Sequence, residues 1–457
     1  MIHSVQIDGF RSLDGFSLNF SPGLNILVGP NGSGKTNVIE FFQLVSQLSR
    51  KNIKDAISLA GGVGSVFRKL SQSEYKKSVS ATIRGATYSN HKYILKKSGT
   101  IVYEFSFEIS AANGFEEIEY VYQEVKIKFI SPKNIANKPY EFTDPSWDLE
   151  FKFSNYDQNL KIGVTENEHS PYTIHLREAS LLKAAMDNYA LQEKELRRFS
   201  SYCILSIIDE APINWIIRGD IDRGEIINID PRQLRKSEDI GARPGIQSDG
   251  SGLAATLNYL QRDDHRASSV PFYFDASDIR ILPNRPDDGW KATLNQIKGL
   301  ATLVNNQIED VFVETEHFEN YLRLKLRLKG ELGNFDLPAS ALSDGTLKWL
   351  SLVTAILTHR SMFAIEEPEN FLHPHMQKEV IKLMRETTKE KKSFALMSTH
   401  SETILNASIA SEIIVVKATD SITSARRISD PKFLDKEIKA TGFGMGSYYI
   451  AGDLNDA

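Results

Sequence analysis

The chain has one cysteine in 457 residues, Cys203, so an intramolecular disulfide is excluded. It lies in the apolar run SSYCILSIID and reads as a buried, inert thiol. No run of 18 apolar residues occurs, so no membrane span is predicted. The opening MIHSVQIDGF lacks the charged-then-apolar layout of a secretory leader. A cytoplasmic protein with no membrane partner is the expectation. A dominant charge sign is also missing: 54 basic residues stand against 59 acidic ones, a net charge of −5. That gives no global argument for nucleic acid or membrane binding and leaves room only for a local basic strip. Internal repeats and low-complexity tracts are absent.

What is present is an alternation of textures. HSVQIDGF, FSLNF and LNILVG are short strand candidates divided by Gly and Pro turns, and KTNVIEFFQLVSQLSR follows at helical spacing. In the middle, YEFSFEIS, QEVKIKFI and WDLEFKF alternate apolar with polar residues, as half-buried antiparallel strands do. REASLLKAAMDNYALQEKELRRF, SGLAATLNYLQR and TLNQIKGLATLVNNQI are helix candidates. YLRLKLRLKG puts Leu322, Leu324, Leu326 and Leu328 on one face and Arg323, Lys325, Arg327 and Lys329 on the other. The charged face is either a nucleic-acid strip or a solvated sheet surface. From Ala341 the buried runs SMFAIEE, SFALMST and SEIIVVK return, with MQKEVIKLMRETTKE between the first two, as in a parallel sheet with crossover helices. The predicted fold class is α/β: a mostly parallel core built from residues 1–50 and 341–457, with an inserted α+β region at 51–340.

GPNGSGKT, residues Gly29, Pro30, Asn31, Gly32, Ser33, Gly34, Lys35 and Thr36, fits G-x-x-x-x-G-K-[ST] between a strand and a helix. The glycines permit backbone angles that a side chain forbids, so successive N–H groups can converge on phosphate oxygens. The following helix adds its positive end. Lys35 supplies a point charge for β- and γ-phosphates, and Thr36 a hydroxyl for Mg2+. A plain helix-capping turn has no use for Lys and Thr at those positions.

MFAIEEPENFLHPH ends a buried run in two carboxylates, Glu366 and Glu367. Two charges about 4 Å apart repel by roughly 1 kcal/mol in water and about 4 kcal/mol at an effective dielectric near 20. A nucleotide-bound Mg2+ takes one or two carboxylates plus waters. Glu366 is therefore assigned to the metal side, and Glu367, one residue past the strand, to the attacking water. A solvated acidic strand end is the bland alternative. SALSDGTLKWLSLVTAIL reads as a helix with Ser343 or Asp344 as cap, able to offer Ser343 and the Gly345 amide to a γ-phosphate. FALMSTHSETIL delivers His400 to a strand's C-terminal end, where open α/β sheets bind ligands. His373 and His375 lack a third nearby ligand for a zinc site.

These motifs in this order resemble the ABC-type ATPases of the RecF, SMC and OLD group. GPNGSGKT resembles their Walker A loop, LSDGT their signature motif, FAIEEPE their Walker B strand with catalytic glutamate, EPENFLHP their D-loop, and STH their switch histidine. DPRQLRKSEDIGARPGIQSDGSGLAATLNYL resembles a segment of their insertion. The resemblance covers about 1–45 and 341–417 strongly and 228–260 moderately. It implies ATP and Mg2+ as cofactors, catalysis by Glu367 and His400, and a head-to-tail homodimer or higher oligomer. In that dimer Ser343, Asp344 and Gly345 of one copy would meet ATP held by the other. Asp344 departs from the glycine usual there, and Glu366 from the usual aspartate. Neither coiled-coil arms nor a following nuclease domain is recognisable. The chain therefore resembles a stand-alone ATPase subunit, like the PtuA- or AriA-like subunits of bacterial anti-phage systems. The expected function is an ATP-hydrolysing sensor or scaffold that controls a separate effector, a nuclease or toxin. A DNA-binding repair or maintenance ATPase is the alternative, and a transporter subunit fits the large insertion poorly.

Overall fold

In the computed structural model, the described residues are 1–89, 99–130, 147–155, 159–164, 193–207, 212–221, 225–262, 287–358, 363–391 and 394–452. The helix expected over 177–199 falls within this set only from Glu193, where Glu193–Ser201 is helical. The remainder of that segment lies outside the described residues. The chain forms two compact units, one of Met1–Ser21, Gly29–Gly224 and Val416–Arg426, the other of Pro22–Val28, Glu225–Val415 and Arg427–Ala457.

Near the start, β1 (Ile2–Asp8), β2 (Phe16–Asn19) and β3 (Gly23–Val28) precede α1 (Lys35–Leu48). The first unit is built on a seven-stranded sheet. It adds β4 (Ser78–Ser89), β5 (Gly99–Ala112), β6 (Glu117–Ile130), β7 (Leu149–Ser154) and β8 (Asn159–Val164), in the order β2-β1-β4-β5-β6-β7-β8. Every neighbouring pair is antiparallel. The period-2 alternation of β5 puts Phe105, Phe107 and Ile109 inside. Cys203 is buried as well. One side of α1 buries Val38, Phe41, Phe42 and Val45, with Phe10 edge-on to Phe41 at 5.7 Å.

In the second unit β3 is paired with strands from far along the chain: β9 (Glu225–Ile227), β14 (Phe363–Glu366), β15 (Phe394–Ser398) and β16 (Ile413–Thr419). The order is β16-β3-β15-β14-β9, and each pair is parallel. Parallel strands need both faces covered, which explains why they read as unbroken apolar runs. The register aligns Leu27 with Ser398, and Ser398 with Glu366. Three strand ends thus finish level, and β3 leads into Gly29. The texture boundaries at 50 and 340 do not coincide with this division by contacts. β9, from inside the 51–340 stretch, is a strand of the parallel sheet. At three residues it is too short to carry a period.

The second unit also holds β10 (Glu238–Asp239), β11 (Ile308–Glu316), β12 (Tyr321–Leu328) and β13 (Phe335–Pro338) in an antiparallel sheet. Its helices include α2 (Pro231–Leu234), α3 (Leu253–Gln261), α4 (Asp287–Ala301), α5 (Asp344–Thr358) and α6 (Pro374–Lys391). Leu322, Leu324, Leu326 and Leu328 are buried in a core shared with Leu257, Leu260 and Trp349. The Trp349 indole N–H donates to the Leu300 carbonyl at 2.8 Å, which ties α5 to α4.

Candidate functional site

In the first unit the phosphate-type loop runs from Gly29 to Thr36. Gly32 and Gly34 have φ of 77° and 96°, the left-handed region glycine tolerates. Gly29 is required by space instead: a Cβ there would lie 2.1 Å from the Val416 carbonyl oxygen. Gly34 is required twice over, because its Cβ would also meet Thr423 Oγ1 at 2.0 Å. The Lys35 ammonium donates to the carbonyls of Gly29 at 2.9 Å and Pro30 at 3.1 Å, so it lies across the loop. No side chain caps α1, and Pro30, Asn31, Gly32 and Thr36 are exposed. Uncapped first-turn amides, an ammonium and a free-standing hydroxyl are the donors a polyphosphate with a hard cation requires.

Behind the loop is a brace that sequence reading missed. Thr423, on β17 (Ile422–Arg427), donates its hydroxyl to the Ser33 carbonyl at 2.9 Å. Ser12 Oγ lies 2.6 Å from the same hydroxyl, and Asn37 Nδ2 donates to Ser12 Oγ at 2.6 Å. Thr423 is 390 positions from Ser33 and 411 from Ser12, and no local pattern announces the brace.

In the second unit, β14 ends at Glu366, to whose Oε2 Asn228 lies at 3.5 Å. Glu367 leaves the strand with φ of 42°. Its N–H donates to the Ser398 carbonyl at 3.0 Å, and its carboxylate accepts from Asn370 Nδ2 at 3.0 Å. A turn of the backbone after Glu366 therefore separates the two carboxylates. Glu369, given no role from sequence, accepts at Oε1 from the Thr399 hydroxyl and from the His400 N–H, both at 2.8 Å. Its Oε2 is buried without a hydrogen-bond partner. The backbone of His400 is thereby pinned at the end of β15, and the residue is exposed.

The turn at Ser343–Gly345 resolves the open question of the cap. Ser343 Oγ accepts the Thr346 N–H at 3.2 Å, so Ser343 caps α5. Asp344 instead pairs with Arg235 at 2.6 Å. Gly345 is held by contact, since a Cβ would lie 2.7 Å from the Phe371 carbonyl. One turn further on, Lys348 is buried and donates to the Glu367 carbonyl at 3.2 Å, with its ammonium 5.7 Å from the Phe371 ring centre. A lysine between Leu347 and Trp349 was the available signal.

The cations of β12 are balanced by carboxylates of nearby segments. Lys325 meets Glu314 at 2.6 Å, Arg327 meets Asp336 at 2.8 Å, and Arg323 meets Glu319 at 3.4 Å. Lys329 is exposed at the end of that row. Among the described residues there is no group of three or more His, Cys, Asp or Glu arranged to hold a metal. No helix among them is long and apolar enough to cross a membrane.

A family model described as an AAA ATPase domain matches residues 1–405. The chain belongs to this family. The Septu protein PtuA of Bacillus thuringiensis is 36% identical over 63 residues, which are 14% of this chain and 16% of that protein. The DNA replication and repair protein RecF of Lachnoclostridium phytofermentans is 41% identical over 56 residues, 12% of this chain and 16% of that protein. The chain thus spans 16% of the length of these two relatives. A crystal structure of an SmcHead bound to the C-winged helix domain of ScpA shares the fold, at a TM-score of 0.51 and 13% identity, over 96% of this chain and 99% of that one. The expected ATPase therefore holds at the level of this family, and the α/β fold is the one shared with the SMC head.

Burial pushes the Lys348 ammonium down to about 8, against opposing pulls from Glu369 and Glu367. The unfolded chain keeps this proton up to about pH 10.5. Burial of the charged form costs stability in full below about pH 8, and the cost is relieved as pH rises to about 10.5. Denaturant titrations at several pH values should show wild type gaining stability relative to Lys348→Met across that window. A difference that is constant with pH contradicts this environment for Lys348.

Proposed function

We propose that this chain binds ATP through Gly29–Thr36 and hydrolyses it, with Glu367 as general base and His400 at the γ-phosphate. The donor set suits Mg2+: the exposed Thr36 hydroxyl and the Glu366 carboxylate are hard oxygen ligands, and they are the residues that would hold it. When bound, Mg2+ neutralises charge on the β,γ-phosphates. Glu367, turned off the strand and oriented by Asn370, accepts the proton of the attacking water. The observation that carries this reading is the family match over residues 1–405, which takes in both the glycine loop and the acidic strand end.

A second copy of the chain completes the site, with Ser343, Asp344 and Gly345 closing over the nucleotide. ATP then holds the copies together and hydrolysis releases them. The match to PtuA supports a defence role in which this cycle controls a separate nuclease or toxin. Lys35→Ala should abolish ATP binding. Glu367→Gln should keep binding, lower turnover by about 10²- to 10⁴-fold, and run as a dimer on size exclusion with ATP. A monomer indifferent to ATP contradicts the shared site. In a phage-challenged host carrying the chain with its flanking genes, Lys35→Ala should lose protection. Protection that survives the substitution contradicts the defence role.

The alternative, a DNA repair ATPase, draws on the match to RecF. The carboxylate-balanced face of β12 does not favour it as the DNA contact, because counterion release needs unneutralised cations. Arg323→Glu with Arg327→Glu should leave DNA affinity and its salt slope unchanged. A loss of either establishes the face as a nucleic-acid site.

A further inference from the structure

Asp344 is a carboxylate in the first turn of α5, beside the hydroxyl and amide proposed to meet a triphosphate. The helix end favours it, since negative charge at an N-terminus is stabilising. A phosphate at the same turn does not. The structure assigns the resolution of this conflict to Arg235, as the positioning residue of the signature turn. This rests on the reading of Ser343–Gly345 as the contact for a second copy's nucleotide.

Arg235 Nη1 lies 2.6 Å from Asp344 Oδ1, and Nη2 donates to the Leu342 carbonyl at 2.8 Å. One guanidinium therefore grips the residue before Ser343 and the residue after it. Nη1 also reaches the Pro231 carbonyl at 3.3 Å. Leu342 is buried and Ser343 exposed, so the clamp fixes the point where the chain emerges to present the hydroxyl. The planar fork can hold a carbonyl and a carboxylate together, which a lysine's point charge cannot do as well.

The arginine is itself firmly based. Asp230 caps α2 through the Arg232 N–H at 2.9 Å. Gly250 packs against α2 with φ of 92°, where a Cβ would meet Ile229 Cγ2 at 2.9 Å and Leu234 Cδ2 at 3.3 Å. Ser351 Oγ of α5 would be 3.4 Å from that Cβ. Glu238 caps α3 with both oxygens, from the Gly252 and Ala255 N–H groups at 2.8 Å each. The segment 228–260 thus acts as a mount that delivers one guanidinium to the signature turn.

The test is a double-substitution cycle on the full chain, reading ATP turnover and, separately, ATP affinity by equilibrium binding. Arg235→Ala should lower kcat about tenfold or more, the scale of a misplaced contact group, and leave ATP affinity unchanged at protein concentrations where the chain is monomeric. Arg235→Lys should fall between it and wild type. In an Asp344→Asn background, Arg235→Ala should cost little further, because the charge it offsets is gone. Equal cost in both backgrounds overturns the assignment, as does wild-type kcat in Arg235→Ala. If Arg235→Ala melts early, Arg235→Lys is taken through the same cycle with the same criteria. A wild-type chain without ATP turnover is a distinct result: it refutes the parent reading, and the assignment falls with it.

Discussion

Three carboxylates in four residues, Glu366, Glu367 and Glu369, crowd the end of one buried parallel strand, the first as its last residue and the others just past it. Like charges this close destabilise one another unless each is separated, bonded or neutralised. Glu369 is bonded, by Thr399 and the His400 amide. Glu367 is separated, by a left-handed backbone that takes it off the strand. Such a conformation in a residue other than glycine costs on the order of 1–3 kcal/mol and persists only where the surroundings enforce it. Here they are the Ser398 carbonyl, Asn370 and the buried ammonium of Lys348.

Lys348 and Gly345 give the arrangement a second consequence. Both lie in the first turns of α5 and touch the loop between Glu367 and Phe371. The helix that presents the signature turn is therefore packed on the backbone of the proposed general base within one subunit. In the first unit, the glycine loop is shaped by Val416 and Thr423 from late in the chain. Both halves of the proposed chemistry depend on residues brought in from a distance.

That distance separates what could be read in the sequence from what could not. The period-2 leucines of β12, the apolar runs of β14 and β15, and the glycine loop are local patterns, and the structure has them as strands, buried faces and a turn of the anticipated kind. Ser343 and Asp344 were both possible caps, and only the Thr346 N–H and the Arg235 partner separate their roles. Thr423 and Arg235 were illegible as site residues because their meaning lies in the partner, 390 and 107 positions away. Lys348 was visible only as a lysine inside an apolar run, and its partner, 19 positions on, was not. The basic row of β12 was legible as a row. Its neutralisation was not, since Glu314 and Asp336 lie on adjacent strands.

The central claim is that one magnesium nucleotide joins the glycine loop to the acidic strand end. The most direct measurement is a crystal structure of the Glu367→Gln variant grown with ATP and Mg2+. The account predicts a single metal bound by the Thr36 hydroxyl, with Glu366 in its coordination sphere directly or through one water, and the γ-phosphate touched by Ser343 of a second copy. Nucleotide on the Lys35 loop with Glu366 beyond reach of the metal, even through water, would contradict it.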